Sequence, residues 1–220
     1  MKKAAAIKAI ERHGMLLVFP LQNAAEPRSL WSEFYPRSKM RWEWDEDGDD
    51  RVARLWHLRE ELSRSKKVVY AKWFRGRATF FSRSLFTALL ALYRKQARFS
   101  ALSHDAKNLL ALLEENSPQS TKQLRRASGL VGRSLESTYS RAMQELWQRL
   151  LIVGFGEVDE GAFPSLALGA TRWIFEDLYQ ESQDLSTEDA EEEISRYFEA
   201  APLVKRYHQR CLGQLATMKN

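Results

Sequence analysis

Only one cysteine, Cys211, stands among the 220 residues, so no internal disulfide can form and a secreted disulfide scaffold is excluded. The usage fits a reducing compartment, and a cytoplasmic location is expected. Long apolar runs are missing as well. The start of the chain carries Lys2 and Lys3, and its short apolar stretch is broken by Lys8, Glu11 and Arg12. It reads as neither a signal peptide nor a membrane span, so a membrane is not an expected partner. Catalytic signatures are scarce too. There is no zinc spacing, phosphate-binding glycine loop, serine nucleophile elbow or HExxH helix. The four histidines, His13, His57, His104 and His208, are scattered and read as ordinary partly buried side chains or caps. Neither a metal nor a small-molecule cofactor is expected.

Acidic residues are absent from Leu62 to His104, where Arg64, Lys66, Lys67, Lys72, Arg75, Arg77, Arg83, Arg94, Lys95 and Arg98 are all basic. Ordinary solvated faces mix both signs, so this one-sign stretch points to phosphate contact. The net charge of +5 conceals the asymmetry: residues 1–100 carry +10, residues 101–153 carry +2 and residues 154–220 carry −7. A basic body of this kind attracts a polyanion. The interleaved aromatics Tyr70, Trp73, Phe74, Phe80, Phe81, Phe86 and Tyr93 read as core. The acidic cluster Glu43, Asp45, Glu46, Asp47, Asp49 and Asp50 does not fit a calcium loop, because Gly48 is the fourth residue from Asp45 where that loop needs glycine at the sixth. It reads instead as acids favouring the N-terminal dipole of the next helix.

The hydrophobic pattern places a short helix over Ala4–His13 ended by Gly14, then a buried strand at Met15–Phe19. Leu21–Pro36 reads as irregular. A helix with Val52, Leu55, Trp56, Leu58 and Leu62 on its apolar face follows, then a hairpin turning at Arg75-Gly76-Arg77 and a helix capped by Ser82. In the second half Ser103 opens one helix and the capping box Ser120/Gln123 opens another. A third runs from Gly132 to Leu150. Leu151–Phe155 and Phe163–Leu168 then form a two-stranded wing around Asp159-Glu160-Gly161. Three helices followed by a hairpin is the layout of a winged helix-turn-helix.

The expected fold is therefore α+β, mostly α: a basic winged-helix-like unit over 1–98, a winged helix-turn-helix over 99–180 and an acidic helical tail over 181–220. The expected partner is double-stranded DNA. Base-edge candidates on the third helix are Arg133, Ser134, Ser137, Thr138 and Arg141. Lys122, Arg125 and Arg126 on the preceding helix are phosphate candidates, joined from the first half by Lys72, Arg75, Arg77 and Arg83. Glu157, Asp159 and Glu160 make the wing a poor phosphate clamp.

Several segments resemble the winged-helix proteins related to the AlkZ/YcaQ DNA glycosylases. They are Gly14 with the strand to Phe19-Pro20-Leu21, Ser29-Leu30-Trp31, Trp44-Asp45-Glu46-Asp47, Trp56-His57-Leu58-Arg59-Glu60-Glu61-Leu62, Tyr70-Ala71-Lys72-Trp73 and Arg77-Ala78-Thr79-Phe80-Phe81-Ser82. The resemblance covers about Ile7 to Ile174. It implies tandem winged-helix units, duplex binding, and a connection with repair of alkylated or crosslinked DNA; a nucleoid location within the cytoplasm is expected of a duplex-binding protein. The catalytic motif of that family, Gln-x-Gln or Gln-x-Asp, has no counterpart, since no glutamine here has Gln or Asp two positions on. The alternatives are a glycosylase with a divergent catalytic residue, drawn from Asp45, Glu46 and Asp47, and a protein-interaction winged helix.

Overall fold

Three short strands, β1 (Met15–Leu17), β2 (Val69–Ala71) and β3 (Thr79–Phe81), alternate their side chains between two buried faces. Leu16, Tyr70 and Phe80 point to one layer, made by α1 (Lys3–His13), α2 (Leu30–Phe34) and α3 (Asp50–Arg64). Met15, Leu17, Val69, Ala71 and Phe81 point to the other, headed by α4 (Arg83–Gln96). The computed structural model describes residues 2–41, 50–97, 101–158 and 164–217. Glu43 to Asp49, Arg98 and the turn Asp159-Glu160-Gly161 lie outside these.

Helix α4 is buried on every side from Leu85 to Tyr93, the pattern of a central helix. Ser82 caps it as expected, accepting a hydrogen bond from the Leu85 amide. The second half runs α5 (His104–Glu115), β4 (Gln119–Ser120), α6 (Thr121–Ala127), a single 3-10 turn at Arg133–Leu135, α7 (Glu136–Gln148), β5 (Ile152–Val158) and β6 (Ser165–Ala170). The serine caps at Ser103 and Ser120 form, the latter with its Gln123 box. Beyond them come α8 (Thr171–Ile174), α9 (Glu176–Asp184), α10 (Thr187–Phe198) and α11 (Pro202–Thr217). The result is α+β and mostly helical, with a small antiparallel sheet.

Two features of the element order and sheet differ from the sequence reading. The stretch read as irregular contains α2, held by a Ser29/Ser32 capping box that a window of turn formers hides. The strands also join one six-stranded sheet in the order β1-β3-β2-β5-β6-β4, through Tyr70 opposite Gly154. Glycine is required there because a Cβ on Gly154 would lie 2.3 Å from the Tyr70 ring. Two residues on, a bulge at Gly156 (φ 78°) lets the Arg64 side chain lie across the strand, and the Gly156 amide donates to Ser63 Oγ at 2.9 Å. Just beyond the bulge, Glu157 forms an ion pair with Arg59.

The acidic tail is part of the interior. Trp73 stacks on Phe198 at 6.2 Å and meets Tyr207 edge-on at 5.0 Å, while Tyr207 Oη donates to the Trp73 carbonyl at 2.8 Å. His208 Nδ1 lies 3.0 Å from Tyr93 Oη, and burial pushes the imidazole down to about 4. Buried aromatics of this size each contribute about 1.5–3 kcal/mol of transfer free energy, and these contacts hold the tail helices against the β2–β3 connection and α4.

Candidate nucleic-acid interface

The α6–α7 connection is built around Arg125. Its Nε donates to the Leu130 carbonyl at 3.1 Å and its Nη2 to the Gly132 carbonyl at 3.4 Å; it also pairs with Glu136 and stacks 5.3 Å from the Tyr139 ring. Tyr139 Oη donates to the Thr121 carbonyl at 3.3 Å, and burial pushes its phenol up to about 12. Arg125 is therefore the pin of the turn, and it neutralises the one acid among the reading candidates, Glu136. Around it Lys122, Arg126, Arg133, Ser134, Ser137 and Arg141 are exposed and Thr138 is half-buried. Arg126 and Arg133 form no ion pair with any described residue. Arg141 Nε returns to the Ser137 carbonyl of its own helix at 3.3 Å. Exposed Val131 and Leu135 give this face an apolar component beside its cations.

The first-half candidates have different surroundings. Arg83 donates to the Lys66 carbonyl at 2.8 Å and pairs with Asp177. Burial is the largest single influence on Asp177 and works against its ionisation, but the hydrogen bond and charge of Arg83 together with backbone hydrogen bonds at Leu178 and Asp177 hold the carboxyl below its usual range. Arg94 reaches Ser182 Oγ at 2.9 Å and lies 4.2 Å from the Tyr179 ring, and Lys95 Nζ reaches the Leu185 carbonyl at 2.7 Å. These cations fasten the tail to α4. Arg75 is exposed, with its guanidinium 5.4 Å from the Phe74 ring.

Lys72 and Arg77 instead border a cavity of about 270 Å³ together with Trp56, Arg59 and Tyr70. Trp56, expected on the apolar face of α3, is 45% exposed and turns its ring to the Arg59 guanidinium at 4.1 Å. Arg59 itself is only 5% exposed, and its Nε has no hydrogen-bond partner among the described residues. Burial, and then the charge of Arg59, hold the Lys72 ammonium below its ordinary range. The sequence reading missed Arg59 as a site residue. A signal existed in the Trp56–Arg59 spacing, which puts an aromatic and a cation one turn apart.

Fold and surface together define a mainly helical α+β protein with exposed cations flanking a short helical turn. The chain belongs to the AlkZ-related family, whose model matches residues 2–207. Membership suggests a function related to DNA repair. No curated protein and no solved structure matches the chain. Among the described residues no helix is long and apolar enough to cross a membrane.

Proposed function

We propose that this chain binds double-stranded DNA through a winged helix over residues 104–170, in connection with repair of alkylated or crosslinked DNA. The observation that carries this reading is the exposed set Arg126, Arg133, Ser134, Ser137 and Arg141 around the start of α7. The order helix, short strand, helix, helix, hairpin is that of a winged helix-turn-helix, whose last helix enters the major groove with its N-terminal residues against base edges. Serines and arginines suit that position, since both donate to base-edge acceptors and phosphates. Family membership supports the link to repair. The basic first half adds a long-range field that draws the duplex in.

The test is binding of labelled duplex at several salt concentrations, comparing the parent with Arg133→Ala and with the double change Arg75→Ala, Arg77→Ala. Each phosphate contact removed lowers the slope of log affinity against log salt by about 0.9. The Arg133→Ala change is expected to weaken binding more than the double change. A salt-independent affinity overturns the reading.

A further inference from the structure

The cavity beside β2 combines features that a plain phosphate-binding surface does not need. Its walls hold Trp56, Arg59, Tyr70, Lys72 and Arg77, and it is small beside the ~300–1,000 Å³ of drug-sized ligand sites. Buried Arg59 shares one face of its charge with Glu157 and leaves its Nε proton without an acceptor among the described residues. A buried donor of this kind leaves the guanidinium only partly satisfied, so its positive charge beside the cavity is incompletely offset. Exposed Arg77 supplies a second cation to the lining, and the Trp56 ring an apolar face. The same lining holds a primary amine, Lys72, half-buried and within the field of a fixed cation, Arg59. Desolvation beside another positive charge is the environment that turns a lysine into a nucleophile for carbonyl groups.

We propose that this cavity accepts the aldehyde form of an abasic deoxyribose in duplex DNA and that Lys72 joins it as an imine. The ligand is a carbonyl next to phosphates: exposed Arg77 in the lining is available to a phosphate, buried Arg59 adds its positive charge nearby, and half-buried Lys72 is the amine for the carbonyl. The Nζ lone pair forms a bond to C1′, and the two amine protons leave with the carbonyl oxygen as water. The imine nitrogen then takes one proton from solvent. No oxidant or reductant enters the step. The inference rests on the duplex-binding reading for its choice of carbonyl source.

The experiment is borohydride trapping, in which hydride reduces the imine carbon and leaves a stable secondary amine between protein and DNA. The 220-residue chain is incubated with a duplex carrying one abasic site, with an intact duplex, and with 2-deoxyribose 5-phosphate, and the adduct is mapped by peptide mass. Duplex binding is measured in parallel, and trapping is run at protein concentrations that saturate the duplex for each variant. The expected result is an adduct on Lys72 with the abasic duplex, none with the intact duplex, and loss of the adduct in Lys72→Arg, which keeps the charge but not the nucleophile. Binding without an adduct, or an adduct on another amine, overturns the inference and leaves the duplex-binding reading standing. Labelling of Lys72 by the free sugar phosphate alone overturns DNA as the source. Absence of duplex binding overturns both.

Discussion

The cations before residue 98 and those around the α6–α7 turn differ in what they are bonded to. In the first half Arg64 pairs with Glu60, Arg83 with Asp177, and Arg94 and Lys95 hold the carbonyls and hydroxyls of the tail. Around the turn Arg125 is committed to the fold in this way, whereas Arg126 and Arg133 stand in solvent. A run of like charge in a sequence thus contains two populations. One fastens acidic or carbonyl-rich helices of the same chain, and the other is left for a polyanion. Density of charge along the chain does not tell them apart; the ion pairs do.

That comparison can be strained at several points. The largest effect is expected where the two halves meet: Gly154→Val drives a side chain into the Tyr70 ring, 2.3 Å from the position of a Cβ. Overpacking of this kind costs about 3 kcal/mol. Urea denaturation measures it, and a cost below about 0.5 kcal/mol would mean that the strand junction yields freely.

A similar loss is expected on acidification. The unfolded chain protonates His208 near 6.5 and the folded chain only near about 4, so the unfolded state binds more protons between those values. Stability from this group is unaffected above 6.5 and falls as pH drops through that window, by up to about 3 kcal/mol. His208→Gln should flatten that part of the pH profile. An unchanged profile would remove His208 as its cause.

A smaller effect separates the two sets of cations directly. Arg126→Ala with Arg133→Ala should reduce the salt slope of duplex binding by about 2 while leaving the melting temperature in place. Arg83→Ala should do the reverse. Its partly exposed pair with Asp177 contributes less than about 1 kcal/mol, so a slight fall in melting temperature and little change in affinity are expected. If Arg83→Ala weakened DNA binding as much as the double change, the division between fastening and free cations would fail.

Much of the fold was legible because its signals are local. The serine caps at Ser82, Ser103 and Ser120, the hairpin turning near Gly76, and the three helices followed by two strands all rest on spacings of a few residues. The aromatics read as core are buried, from Tyr70 through Tyr93. The illegible parts depend on distant partners. Strand β4 is two residues long and exists because Gln119 and Ser120 meet Leu168 and Ala167. Arg83 looked like any other arginine until Asp177, far along the chain, closed on it. Glu157 read as a tip residue because no local pattern announces the bulge before it or its ion pair with Arg59. The cavity around Lys72 likewise needs α3 and β2 side by side, a juxtaposition that periodicity does not encode.

The pairing of β2 with β5 has a consequence for the nascent chain. Strand β2 and its hairpin partner leave the ribosome well before β5, so β2 spends that interval as an open edge with its outward amides and carbonyls unmatched. A polypeptide truncated after α4 would keep that edge permanently, next to aromatic side chains that the tail normally covers. Such a fragment is a template for intermolecular strand addition, and its insolubility would report on a missing neighbour rather than on an unstable half.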